Sequence, residues 1–139
     1  MGSNDEVIAE FRENAGRVGG WLAGTPVLLL HHVGARSGTT YVTPLAYQPL
    51  RGGLMIVGSN GGSAVDPGWC HNLRAQPRID VEVGTETLTV RGHELDDAAR
   101  AEIWPVLVTG APVLGEYQST TTRLFPVFLL IPETEGPQI

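Results

Sequence analysis

The chain contains no lysine; all nine of its basic side chains are arginine. Without lysine, no Walker-type phosphate loop can form, since that loop needs an ammonium at a fixed distance from its glycines. Cysteine is nearly absent too. The single Cys70 cannot bridge within the chain and excludes a paired-cysteine zinc site, which fits a reducing compartment and an expected cytoplasmic location. Long apolar runs are also missing: Val27–Leu30 and Phe128–Ile131 are far shorter than the roughly 18 to 20 residues of a membrane span. The start, MGSNDEVIAEF, is acidic and does not read as a secretory signal.

What is present suits one ordinary domain over residues 1–139, long enough to bury a core without staples. The formal charge is -6, yet the segment from Arg36 to Arg78 holds four arginines against a single acid, Asp66. A locally basic middle in an acidic chain suits a small anionic ligand, whereas nucleic acid calls for a broad basic face and is not expected as a partner.

Residues 4 to 18 have the spacing of an amphipathic helix with Ile8, Phe11, Ala15 and Val18 on one stripe, so residues 1–20 are expected to form a helical N-terminal element. Extended segments follow at 27–33, 40–48 and 54–59, broken by glycine-rich turns. A short helix is expected from Gly68 to Ala75, with Pro67 at its start and Pro77 beyond its end. Ile79, Val81 and Val83 alternate with acids, and after a Gly84-Thr85 turn Leu88 and Val90 alternate with polar residues, the pattern of a hairpin with one buried face. Asp96 or Asp97 starts a helix to about Leu107 that Pro105 should kink or shorten, an irregular stretch reaches Arg123, and a last strand covers 125–131. The tail 133–139 has too little apolar content to hold itself down. About six antiparallel strands without regular helix alternation predict an α+β fold, mainly β: a split β-barrel with peripheral helices.

Two segments carry candidate chemistry. Gly34-Ala35-Arg36-Ser37-Gly38-Thr39-Thr40 offers backbone N–H groups, a guanidinium and hydroxyls to a phosphate, or is a plain hairpin turn with a solvated arginine. Ser59-Asn60-Gly61-Gly62 followed by Asp66-Pro67-Gly68-Trp69-Cys70-His71-Asn72 is either a corner for a flat ring or a loop of residues with positive φ beside a packed Trp69. His31 and His32 are neighbours on a strand, point to opposite faces and cannot chelate one metal, and His71 and His93 lack partners at ligand spacing, so no metal site is expected. Cys70 reads as packing rather than as a nucleophile. Tyr117 and Gln118 lie where a loop could border a pocket, or simply pack.

In order and spacing, Gly-Ala-Arg-Ser-Gly (34–38), Thr-Pro-Leu (43–45), Ser-Asn-Gly-Gly (59–62), Pro-Gly-Trp-Cys-His-Asn-Leu-Arg-Ala-Gln-Pro (67–77) and Trp-Pro-Val-Leu-Val (104–108) together resemble the deazaflavin-dependent nitroreductase family over about residues 25–132. The resemblance implies coenzyme F-420, an 8-hydroxy-5-deazaflavin with a phosphodiester and a glutamate tail, and a split barrel. It implies that Ala35, Arg36 and Ser37 line the phosphate. Tyr41, Val42, Thr43, Pro44, Leu45 and Ala46, with Val57, Gly58, Ser59 and Asn60, would line tail and ring, and Gly68, Trp69, Cys70, His71 and Asn72 the far side of the ring. Four positions depart from the family pattern: Ala35 replaces a basic residue, Cys70 stands where Tyr is common, and Ala111 and Leu114 occupy two aromatic positions of the substrate segment.

The activity so implied is hydride transfer from reduced deazaflavin to a quinone, nitroaromatic or enone, with Ser59 or Tyr117 as the catalytic hydroxyl that orients the acceptor or supplies a proton. The expected partners are that small-molecule acceptor and a second copy of the chain in a homodimer. The alternatives are an FMN- or haem-binding barrel, FMN ranking below F-420, and a carrier that holds the deazaflavin without turnover.

Overall fold

The computed structural model describes residues 4–20 and 24–133, in which seven strands form one antiparallel sheet. These are β1 (Val27–Val33), β2 (Thr40–Ala46), β3 (Gln48–Leu50), β4 (Gly53–Val57), β5 (Arg78–Val83), β6 (Glu86–Glu94) and β7 (Val127–Pro132). The described helices are α1 (Asn4–Glu13), α2 (Gly68–Ala75), α3 (Asp97–Gly110) and α4 (Val113–Gln118). The strand order is β2-β1-β5-β6-β7-β4-β3. Its two ends are halves of one bent strand, separated only by Tyr47: the first half pairs with β1 and the second with β4. The sheet therefore curls back to the strand it started from, a split β-barrel of the α+β class. Counting the bent strand once leaves six members, as the sequence predicts.

β1 shows why the run Val27–Leu30 does not alternate. Leu28 and Leu30 face the barrel interior with Ile56, Ile79, Val81, Val90, Phe128 and Leu130. Val27 and Leu29 face outward, where Phe11 of α1 and Val18 cover them. A strand buried on both sides loses its polar face. A third cluster, Met55, Ile103, Leu107 and Val127, packs α3 on another outer side of the sheet. α2 is seated on the interior cluster, into which it sends Trp69, Cys70 and Leu73.

Four expectations need correction. α1 ends at Glu13 rather than near 18, because Ala15 and Gly16 turn the chain through positive φ (56° and 93°) where Gly16 passes against Gly84 of the β5–β6 turn. Val18 still reaches the core, but from a loop; residues 1–3 of the expected helix lie outside the described residues. α3 continues through Pro105 to Gly110, since Pro105 and Ala101, whose carbonyl the proline leaves without an N–H, are both exposed to water. The stretch expected to be irregular holds α4. Of the expected tail, Glu133 is tied down, its N–H donating to the Thr89 carbonyl at 2.8 Å and its carboxylate meeting Arg78 at 3.0 Å, while 134–139 lie outside the described residues.

At the end of β4 the chain passes so close to α2 that a Cβ on Gly58 would lie 2.6 Å from Cys70 Sγ and 3.3 Å from Pro126 Cδ. Gly58→Ala should therefore cost about 1 to 3 kcal/mol in denaturant unfolding through overpacking. Adding Cys70→Ala should return part of that loss; no recovery would mean that the strain lies elsewhere.

Candidate active site

The β1–β2 turn is a closed loop. The Gly34 N–H donates to the Thr39 carbonyl (2.7 Å), the Gly38 N–H to the Gly34 carbonyl (3.0 Å) and the Thr39 N–H to Ser37 Oγ (3.1 Å). Ala35, Arg36 and Ser37 are exposed at its tip. Among the described residues the Arg36 guanidinium has no ion pair or hydrogen bond. The other arginines of the basic middle are engaged: Arg51 with Glu102, Arg74 with Glu94 and Asp66, and Arg78 with Glu133. The positive charge legible in the sequence is thus mostly neutralised by acids from distant segments, and Arg36 is what remains for a ligand.

Behind the loop, Ala35 donates its N–H to Asn72 Oδ1 (3.0 Å), Asn72 Nδ2 lies 2.9 Å from His32 Nδ1, and His32 Nε2 lies 2.8 Å from Thr43 Oγ1. The Tyr41 ring stacks on His32 with centroids 5.5 Å apart. Next to this, an open cavity of about 560 Å³ lies between α1 and β2, lined among others by Asp5, Arg12, His32, Tyr41 and Thr43. Its volume is in the range of small-molecule sites.

The second candidate segment is the turn Asn60–Gly62 after β4, with φ of 47°, 63° and 86° at Asn60, Gly61 and Gly62. The Arg123 guanidinium holds it, donating to the carbonyls of Gly58 (3.0 Å), Ser59 (2.9 Å) and Ser63 (3.0 Å), pairing with Asp66 and lying over the Phe125 ring. The C-terminal end of α4 abuts the same turn: Thr120 Oγ1 donates to the carbonyl of Tyr117 (2.7 Å) and approaches that of Gly62 (3.5 Å). Gln118 fastens α4 in place, accepting from Arg100 and donating to the carbonyl of Arg123. The segments carrying Ser59 and Tyr117 are thereby neighbours. Neither hydroxyl has a hydrogen-bond partner among the described residues, so both are free for a ligand.

The remaining candidates divide by face. Tyr41, Thr43 and Leu45 share the side of β2 that carries His32, Leu30 and Leu28 in register, and Leu45 packs on the interior cluster. Val42 packs outward under α1, Pro44 is half-buried and Ala46 exposed. Val57 packs on the α3 cluster and Gly58 is buried against Cys70. Gly68 and His71 are exposed on α2, whereas the side chains of Trp69 and Cys70 point into the barrel, Trp69 against Phe128. Burial, with Asp66 nearby, pushes the Cys70 thiol up to about 12, which leaves it no nucleophilic thiolate at neutral pH. Leu114 packs on the α3 cluster instead of standing open at a pocket. Among the described residues no cluster of ligating side chains could hold a metal. His32 and Arg123 were not singled out as site residues by the sequence; both are recognisable only by what the fold brings to them.

A split barrel with a free arginine on one loop and two free hydroxyls near one turn offers a small ligand an anion contact and hydrogen-bonding groups. The F-420H(2)-dependent quinone reductase model matches residues 4–132, and the chain belongs to that family. It is similar to an F-420H(2)-dependent quinone reductase of Mycobacterium tuberculosis, with 35% identity over 126 residues that cover 88% of this chain and 85% of the relative. Among solved structures it resembles an F-420-H2 dependent reductase (34% identity, TM-score 0.67, 76% of this chain and 93% of that one). Another, described as a domain-swapped dimer, matches at 31% identity with TM-score 0.69 over 91% of this chain and 92% of that one. A FAD-binding protein of Mesorhizobium loti, 18% identical with TM-score 0.55 over 95% of this chain and 91% of that one, shares the fold alone.

Because four separated acceptors converge on one planar fork, Arg123→Lys should not substitute for it. An expected loss of about 2 to 4 kcal/mol on thermal or denaturant unfolding follows from carbonyls and a carboxylate left unpaired. Wild-type stability in Arg123→Lys would show that the fork is dispensable.

Proposed function

We propose that this chain reduces quinones with hydride from reduced coenzyme F-420, Arg36 and the Ala35–Ser37 loop holding the cofactor's anionic tail. The observation that carries the reading is the Arg36 guanidinium, unpaired at the tip of an ordered loop beside an open cavity in a chain that otherwise pairs its basic middle. The residues fit the group: a phosphodiester needs a cation and N–H donors, Arg36 supplies the first, the backbone N–H groups of Arg36 and Ser37 are the loop's uncommitted ones among the described residues, and the cavity along β2 brings Tyr41, Val42 and Thr43 next to it.

When bound, the reduced deazaflavin supplies a hydride as a two-electron donor. A quinone becomes a hydroquinone by gaining one hydride and one proton, so the chain has to orient the acceptor and bring the proton. Ser59 and Tyr117 are suited to both tasks, since Arg123 and Gln118 fix the backbones that carry them and leave the hydroxyls free. Trp69 and Cys70 would act on the ring side only through backbone and by shaping the wall. Nitroaromatics and enones belong to the same acceptor chemistry. The relative described as a domain-swapped dimer supports a homodimer here, and a chain with a single, buried cysteine fits a reducing compartment such as the cytoplasm. An FMN or haem reading has only fold likeness behind it, and a carrier would have no use for the two free hydroxyls.

Fluorescence titration tests the anion site: Arg36→Ala should weaken F-420 by about 1.5 to 3 kcal/mol, the loss of a charge-assisted hydrogen bond. Unchanged affinity would overturn the assignment. For the acceptor side, single-turnover oxidation of reduced F-420 by a small quinone should slow about tenfold or more in Tyr117→Phe with little change in cofactor affinity. Equal rates would move the proton to Ser59 or water, and no oxidation by the wild type would favour the carrier.

A further inference from the structure

We propose that His32 is a positioning residue for the anion-binding loop: as a neutral imidazole protonated on Nε2, it holds the Asn72 carboxamide in the one orientation that accepts the Ala35 N–H. The inference rests on the reading of that loop as the cofactor's anion site. The chain of roles starts at Ala35, whose backbone N–H can only donate, so the Asn72 atom 3.0 Å away must be Oδ1. Nδ2 then faces His32 Nδ1 at 2.9 Å and, being donor only, requires a lone pair there. The ring proton is therefore on Nε2, which donates to Thr43 Oγ1 at 2.8 Å.

A second proton on the ring breaks this arrangement. It would set an N–H at Nδ1 against the Asn72 amide, and flipping the carboxamide would only move the conflict to Ala35, donor against donor. His32 is the one buried polar side chain among the described residues, and burial followed by the charge of His31 lowers its pKa below the ordinary 6.5. Asp5 and Arg12 of α1 and Tyr41 of β2 are the other titratable or charged groups lining the adjoining cavity, and Arg12 is held by Glu82. His71, the neighbour of Asn72 on α2, is exposed. The sign follows: the unfolded chain binds the proton more readily than the folded one, so acid below that value favours release of the network and takes stability with it. At neutral pH the loop is held in register, with the Arg36 side chain outward.

The test uses the protein without cofactor first. Nitrogen NMR at about pH 7.5 should find His32 with a bare Nδ1 and a protonated Nε2, and the Ala35 amide protected from exchange. As the pH is lowered from about 8 the two should be lost together, with a midpoint below the ordinary 6.5. In His32→Phe the Ala35 protection should fall about five- to tenfold and no longer titrate. If that variant does not fold, Asn72→Ala should abolish the protection while leaving the imidazole to titrate. Next, the ratio of F-420 dissociation constants, His32→Phe over wild type, should be about three- to tenfold near neutrality and approach one in acid. The cofactor's own ionisation cancels in that ratio. A proton on Nδ1, or a His32 titration that leaves the Ala35 amide unmoved, would overturn the proposal. Amide results as expected with no F-420 binding in either protein would instead sink the cofactor reading and leave the positioning role standing.

Discussion

Burial of Trp69, Cys70 and Leu73 in the barrel interior fixes α2, and α2 fixes both halves of the candidate site. Each such side chain contributes roughly 1.5 to 3 kcal/mol by leaving water, so the helix cannot rotate to relieve a polar contact without giving up several times that contact's worth. With the apolar side committed, Asn72 is delivered to the β1–β2 loop and Asp66, just before the helix, to Arg123. Two polar networks that share no residue are thus referenced to one packed helix.

That arrangement separates tasks that a single loop would have to combine. The loop at Ala35–Ser37 is exposed and would be mobile if it had only its own turn hydrogen bonds; the Asn72 bond ties it to a buried element. The Asn60–Gly62 turn runs at positive φ, which costs little at Gly61 and Gly62 but is strained at Asn60, and Arg123, 60 to 65 positions on along the chain, holds it through three flanking carbonyls. In both places the rigid part is backbone, and the groups left over for chemistry, Arg36, Ser59 and Tyr117, are side chains without partners among the described residues.

The sequence made the barrel legible because its signals are local. The β5–β6 alternation, the Pro67 and Pro77 bounds of α2 and the glycine turns each predict one element, and six antiparallel members leave few ways to assemble. It misled where a long-range contact decided. Helix spacing continued to Val18, but the close approach of Gly16 to Gly84 ends α1 early, and Pro105 is harmless only because its side of α3 faces water. The basic middle, read as a net field, dissolves into pairs with Glu94, Glu102 and Glu133, residues that lie 20 to 55 positions away along the chain. The site residues quoted for the family resemblance lie in two groups joined through α2, and the two residues that hold them, His32 and Arg123, fall in or beside apolar stretches where nothing local tells which partners they meet.

The pairing of the basic middle also bears on selectivity. A field spread over four arginines would attract any polyanion, with strong dependence on salt and little on shape. One free guanidinium on an ordered loop offers instead a single contact that is worth much only when the rest of the ligand fits the adjoining cavity. On the proposed reading, affinity comes from shape along β2 as much as from charge. For a site that has to hold a flat hydride donor in register against a second small molecule, that division is favourable, because orientation rather than attraction limits the rate of transfer.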